Sequence, residues 1–202
     1  MIRLFAGLMS LVCFAAPAFA GFDAAAVNNA EFKGKLQADD RIDPVVVKAQ
    51  VLLDRANFSP GEIDGRLGEN AEKALKAFRE AKGLTAAKQS LTPDIWTALL
   101  ATTSDPVIVD YKISENDAKG PFLEKMPLKM EDMRDLKSLD YTSPREALAE
   151  KFHMSEALLE SLNPGKKFDQ AGQTISVVNS LPKEAKPKAK PAVARVEVDK
   201  EE

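Results

Sequence analysis

A chain of 202 residues with one cysteine and one histidine has little from which to build a nucleophile or a transition-metal site. His153 cannot form a zinc centre alone, because such a centre takes three or four His, Cys or carboxylate ligands. No second ligand is marked by spacing, and His153 reads as a surface residue or a cation at a helix C-terminus. Glu62 and Asp64 are a tempting acid pair. Glycoside hydrolysis needs two carboxylates several ångströms apart in a cleft, one of them with a raised pKa. These two sit in a turn with no sign of burial, and Asp64 is better explained as a turn former. The stretch also lacks the alternating oxygen ligands of a calcium loop. We therefore expect no catalytic residue, no metal and no cofactor within this chain.

Binding residues are the alternative. Arg66 and Asn70 stand beside a turn at the head of a helical pattern, where backbone N–H groups favour an anion; solvated surface explains them equally well. Trp96 could stack on a sugar or pack in a core, and its neighbours Ile95 and Leu99 favour the core.

The elements that position these residues are readable. Asp43 caps and Pro44 opens a helix whose apolar face is Val47, Val51, Leu52, Leu53 and Ala56. Phe58 plugs the core, Pro60-Gly61 turns the chain, and Asp64-Gly65 turns it again, with Gly65 supplying a positive φ and the Asp64 carboxylate bonding a backbone N–H two residues on. A second helix follows Gly68, carrying Ala71, Ala74, Leu75 and Phe78 on one face and stopping at Gly83. Thr92-Pro93-Asp94 opens a third, with Ile95, Trp96, Leu99 and Leu100. Further on, Val107-Ile108-Val109, Tyr111 and Ile113 suggest a short strand. Leu139 to Thr142 reads as another, Ser143-Pro144-Arg145-Glu146 as a capped helix start, and Ser155 as the cap of a helix holding Leu158, Leu159 and Leu162. Asn163-Pro164-Gly165 ends that helix, and Ile175, Val177 and Val178 form a closing strand.

The ends of the chain have their own signatures. Arg3, an apolar run from Leu4 to Phe14 and Ala18-Phe19-Ala20 resemble a secretory signal over 1–20, too short for a membrane span. Cys13 falls inside it, so the exported chain would hold no thiol and no disulfide. Residues 21–43 are a lead-in, with a short helix near Ala24–Phe32. Residues 181–192 alternate Pro, Lys and Ala as linkers do. Val193 to Asp199 alternates like a strand, or is a frayed tail. A net charge of −3 offers no basic footprint, which argues against nucleic acid as a partner.

The stretch FSPGEIDGRLGEN resembles the core of the peptidoglycan-binding repeat of bacterial envelope enzymes, a small three-helix domain. Tyr141-Thr142, Leu148-Ala149, Phe152 and the run Leu159 to Pro164 resemble a LysM module, although Ser143-Pro144 stands where that family carries Gly-Asp. The order of the parts is similar to the front half of YkuD-type L,D-transpeptidases of alphaproteobacteria. The resemblance implies a mainly α chain: a three-helix peptidoglycan-binding domain over 44–101, a connector over 102–135, and a small α+β LysM-like unit, strand-helix-helix-strand, over 136–179. It implies a periplasmic protein whose partner is peptidoglycan, with a linker over 180–192 and the possible first strand of a catalytic domain over 193–202. It places a second ligand groove at Ser143, Pro144, Asn163, Pro164 and Gly165. The Cys and His of the family's "SHGC" context have no counterpart after position 20, so the sequence reads as the targeting portion without the catalytic half. A free-standing envelope adaptor for protein partners is the other reading; an enzyme in its own right is a third.

Overall fold

The computed structural model describes residues 22–36, 41–127, 129, 131, 134 and 140–180. The signal-like segment, the Pro/Lys/Ala linker and the strand pattern of Val193 to Asp199 lie outside them. Among the described residues there are seven helices and one two-stranded antiparallel sheet, a mostly helical chain of α+β class. No helix among them is long and apolar enough to cross a membrane.

The first half is built on α1 (Ala24–Asn28), α2 (Pro44–Arg55), α3 (Glu69–Ala81) and α4 (Pro93–Leu100). Each of the last three starts as its sequence dictates. Asp43 accepts the Val45 N–H, Gly68 stands at the extended entry to α3, and Thr92 accepts the Ile95 N–H. Their apolar faces converge, with Leu52, Leu53, Leu75, Phe78, Ile95 and Leu99 buried. Phe58 meets Phe78 edge-on at 5.4 Å between ring centres, a favourable aromatic arrangement. After α2 the chain passes through Asn57 at φ 64, and the Phe58 N–H closes back onto the Leu53 carbonyl at 2.9 Å. Asn is one of the few residues besides Gly that tolerates this left-handed exit.

The second half contains β1 (Ile108–Lys112), α5 (Glu115–Lys119), α6 (Pro144–Lys151), α7 (Glu156–Leu162) and β2 (Thr174–Val178). Ser143 caps α6 through the Glu146 N–H, and Ser155 caps α7 through the Leu158 N–H. The strand expected at Leu139 to Thr142 is not formed where it can be followed: Asp140, Tyr141 and Thr142 are irregular, and Leu139 lies outside the described residues. Thr142 instead gives its N–H and hydroxyl to the Glu146 carboxylate, at 2.7 and 2.6 Å. The partner of the closing strand comes from the segment read as a connector. β1 runs antiparallel to β2, from Ile108 opposite Val178 to Lys112 opposite Thr174. Ile108, Ile175, Val177 and Val178 are buried there, a stronger reason to pair than the polar Asp140–Thr142 stretch could supply.

α5 is fastened to α6 by a polar cluster. Lys151 donates to the Tyr111 hydroxyl at 2.7 Å and to Asp117 at 2.8 Å, while the Tyr111 and Ser114 hydroxyls both donate to Asp117 at 2.6 Å. Burial pushes the Asp117 pKa up, but the bonds from Lys151, Ser114 and Tyr111 overcome it and hold the carboxyl well below the usual carboxylate range. A depressed carboxyl pKa adds stability that is complete above the unfolded value of about 4 and is lost as pH falls towards the folded one. Asp117→Asn should therefore be less stable than the parent at pH 7, and the gap should shrink as pH drops below about 4. Urea unfolding at both pH values measures it.

The two halves share one core. Residues from α2, α3, α4, β1, α6, α7 and β2 belong to a single cluster of buried apolar side chains. Ile63, in the second turn, forms a parallel bridge with Met154: its N–H bonds the His153 carbonyl and its carbonyl accepts from the Ser155 N–H, both at 2.9 Å. The Arg55 guanidinium holds three carbonyls across the seam, of Asn179 at 2.8 Å, Asp105 at 3.0 Å and Pro106 at 2.6 Å. The lead-in contributes too. The Asn28 amide accepts the Val107 and Ile108 N–H groups at 2.9 Å and donates to the Ile108 carbonyl, fixing the start of β1.

Candidate functional site

The turn from Ile63 to Arg66 is held from beneath by Gln50, a polar side chain only 2 % exposed. Its amide nitrogen donates to the Asp64 carboxylate at 2.9 Å and to the Arg66 carbonyl at 3.1 Å, and its carbonyl accepts the Gly65 N–H at 2.8 Å. Asp64 also accepts the Arg66 N–H at 2.9 Å, the two-residue turn bond read from the sequence. With its polar groups satisfied, Gln50 fixes the turn without the cost of an unpaired buried amide.

Above this turn lies an open cleft of about 290 Å³, lined by Pro60, Glu62, Asp64, Arg66, Gly68, Glu69 and Asn70 among others. It brings together Arg66 and Asn70, two of the residues read as ligand contacts, at the N-terminal end of α3. The surrounding charge is mixed: three carboxylates face one guanidinium. Burial, and then the carboxylates of Asp64, Glu150 and Glu156, raise the Glu62 pKa. A cleft of this kind suits a ligand carrying both amines and carboxylates.

A second cleft, also about 290 Å³, lies in the other half between the start of α6 and the loop after α7. Ser143 and Pro144 line it, and their companions are Arg145, Lys167, Phe168 and Asp169. Phe168 gives it an apolar wall and Lys167 an exposed cation. Sequence marked Arg145 only as part of a helix start and the other three not at all. Only the packing of the α7–β2 loop against α6 brings those three to Ser143.

Two expected contacts take other roles. Trp96 is 6 % exposed. It packs against Phe32 at 6.3 Å between ring centres and lies under the Lys48 ammonium at 5.7 Å, so it belongs to the core and cannot stack on a sugar. Asn163 is 2 % exposed. Its amide donates to the Leu159 and Ser176 carbonyls at 2.9 and 2.8 Å and accepts the Ser176 N–H at 2.7 Å. It completes the free edge of β2 as a neighbouring strand would, which leaves nothing for a ligand. Gly165, at φ 73, and the exposed Pro164 form the turn beyond it, outside the lining of the second cleft.

His153 sits at φ 56 where α6 ends, with its ring nitrogen 3.4 Å from an Asp54 carboxylate oxygen. It is a seam residue. Among the described residues, no group of three His, Cys, Asp or Glu side chains is placed to hold a metal ion. In comparisons with protein-family models and with curated proteins, nothing matches this chain.

Proposed function

We propose that this chain is an exported peptidoglycan-binding protein, the wall-targeting portion of an L,D-transpeptidase-like enzyme. The observation that carries the reading is the Gln50-braced Ile63–Arg66 turn, whose residues resemble the core of the peptidoglycan-binding repeat and open a polar, mixed-charge cleft beside α3. Wall peptides present amines, amides and free carboxylates, and that cleft offers partners for each. Attachment to the wall would hold a linked catalytic domain near its substrate and raise its effective concentration there. The location is the periplasm, and chemistry would fall to residues other than these.

Co-sedimentation with purified sacculi tests the proposal. The full chain should be retained at low and moderate salt, and Asn70→Ala should reduce the retained fraction without changing the circular dichroism spectrum. Recovery of the parent in the supernatant at both salts would remove wall binding and leave the adaptor reading.

A further inference from the structure

The sequence suggests two modules joined by a connector. The packing is different. Ile63, between the Glu62 and Asp64 walls of the first cleft, is backbone-bonded to His153 and Ser155, and α7 begins at the next residue, Glu156. Bridged backbones lie only about 5 Å apart. Glu156 and, one turn further along α7, Glu160 both pair with Arg145, which lines the second cleft. Glu156 also adds to the negative field that raises the Glu62 pKa. The backbone bonds of Ile63 to His153 and Ser155, followed by the Glu156–Arg145 ion pair, thus link the wall of one cleft to the lining of the other. The backbone there is fixed by the Ile63–Met154 bridge, the Arg55 clamp and the shared core.

We propose that the two clefts form one continuous binding surface that reads a single wall strand across both halves. This rests on the wall-binding reading above. The occupant is a sugar polymer bearing short peptides with both amines and carboxylates. The first cleft supplies carboxylates beside a guanidinium, and the second supplies the exposed Lys167 cation beside Phe168, an apolar face for a sugar or acetyl group. Two sites on a flexible tether accommodate ligands of many lengths, with affinity changing smoothly as the span changes. Two sites in a rigid frame instead give a step: a fragment either reaches both clefts in register or engages one.

The test is calorimetric titration of the full chain with muramidase fragments of the wall, from the single disaccharide-peptide upward. At the length that spans both clefts, affinity should rise in one step by at least about a hundredfold, the low side of what a second simultaneous contact provides. Asn70→Ala and Lys167→Ala, one in each cleft and both at exposed positions, should each abolish the step while leaving the weaker binding of the single unit measurable. Affinity that does not vary with fragment length, in a protein still retained by sacculi, overturns the continuous surface and leaves wall binding standing. Absence of retention by sacculi overturns both.

Discussion

Gly65→Ala should lower the stability of the protein by about 2–4 kcal/mol, read as a shift in the urea midpoint without a change in slope. Two costs add. Gly65 has φ 74, and an L-residue in that region costs roughly 1–2 kcal/mol. A methyl group there would also lie 2.5 Å from the Ile42 Cγ2 and 2.8 Å from the Val47 Cγ2, and such overpacking costs about 1–3 kcal/mol. The stiffer unfolded chain returns roughly 0.4–1 kcal/mol, too little to change the sign. Neither neighbour can retreat easily: the Asp43 N–H is bonded to the Gly65 carbonyl at 3.0 Å, and Val47 is fully buried. The same substitution should displace the Gly65 N–H from Gln50 and loosen the first cleft, so wall retention should fall with stability. Gly83→Ala, where a methyl group meets nothing within 4 Å, is the control and should show only the strain of its positive φ.

The second large effect is expected at Asn163. Asn163→Ala removes three hydrogen bonds and leaves the N–H and carbonyl of Ser176 without their partner on the free edge of β2. Each buried group left unsatisfied costs about 1–3 kcal/mol, so a total of about 2–4 kcal/mol is expected, part of it relieved by water at the half-buried Ser176. Amide hydrogen exchange locates the loss: the Ser176 N–H should lose protection while Ile175, Val177 and the α3 amides keep theirs until global unfolding. A ligand contact at Asn163 would instead lower wall affinity and leave stability alone.

These two residues show what sequence could and could not reveal. The double turn with Gly65 was legible because it is local. A positive φ, an Asx-type bond and a Pro-Gly turn each act within four residues, and the caps at Asp43, Thr92, Ser143 and Ser155 follow the same logic. The buried faces of α2, α3 and α4 were legible from period alone. Asn163 was read as a helix stop, which it is, but its amide is spent on a strand thirteen residues away. The strand pair itself shows the same limit. Ile108–Lys112 has the composition of a strand, yet nothing near it names Thr174–Val178 as its partner, and the Tyr141-Thr142 motif drew attention to a stretch that caps a helix instead. Trp96 fits a core and a sugar platform equally well by type; its neighbours Ile95 and Leu99 lean towards the core, and its burial decides. At the first cleft, Arg66 and Asn70 were within reach of a motif. At the second, Arg145 was legible only as part of a helix start, and Lys167, Phe168 and Asp169 are brought to it by tertiary packing and leave no mark in their own neighbourhoods.

The Arg55 clamp also sets a schedule. Its most distant acceptor, the Asn179 carbonyl, is 124 residues further along the chain, and the amide of Asn28 waits 80 residues for Ile108. At a synthesis rate of about 5–20 residues per second, the wait at Arg55 lasts roughly 6–25 s. Helices form in about a microsecond, so α2 and α3 are made and paired long before the strand pair that completes their core exists. For those seconds the newly made half carries an open flank around Ile63. The danger to the newborn protein therefore lies in the interval before β2 arrives, and slower delivery of the chain would lengthen it.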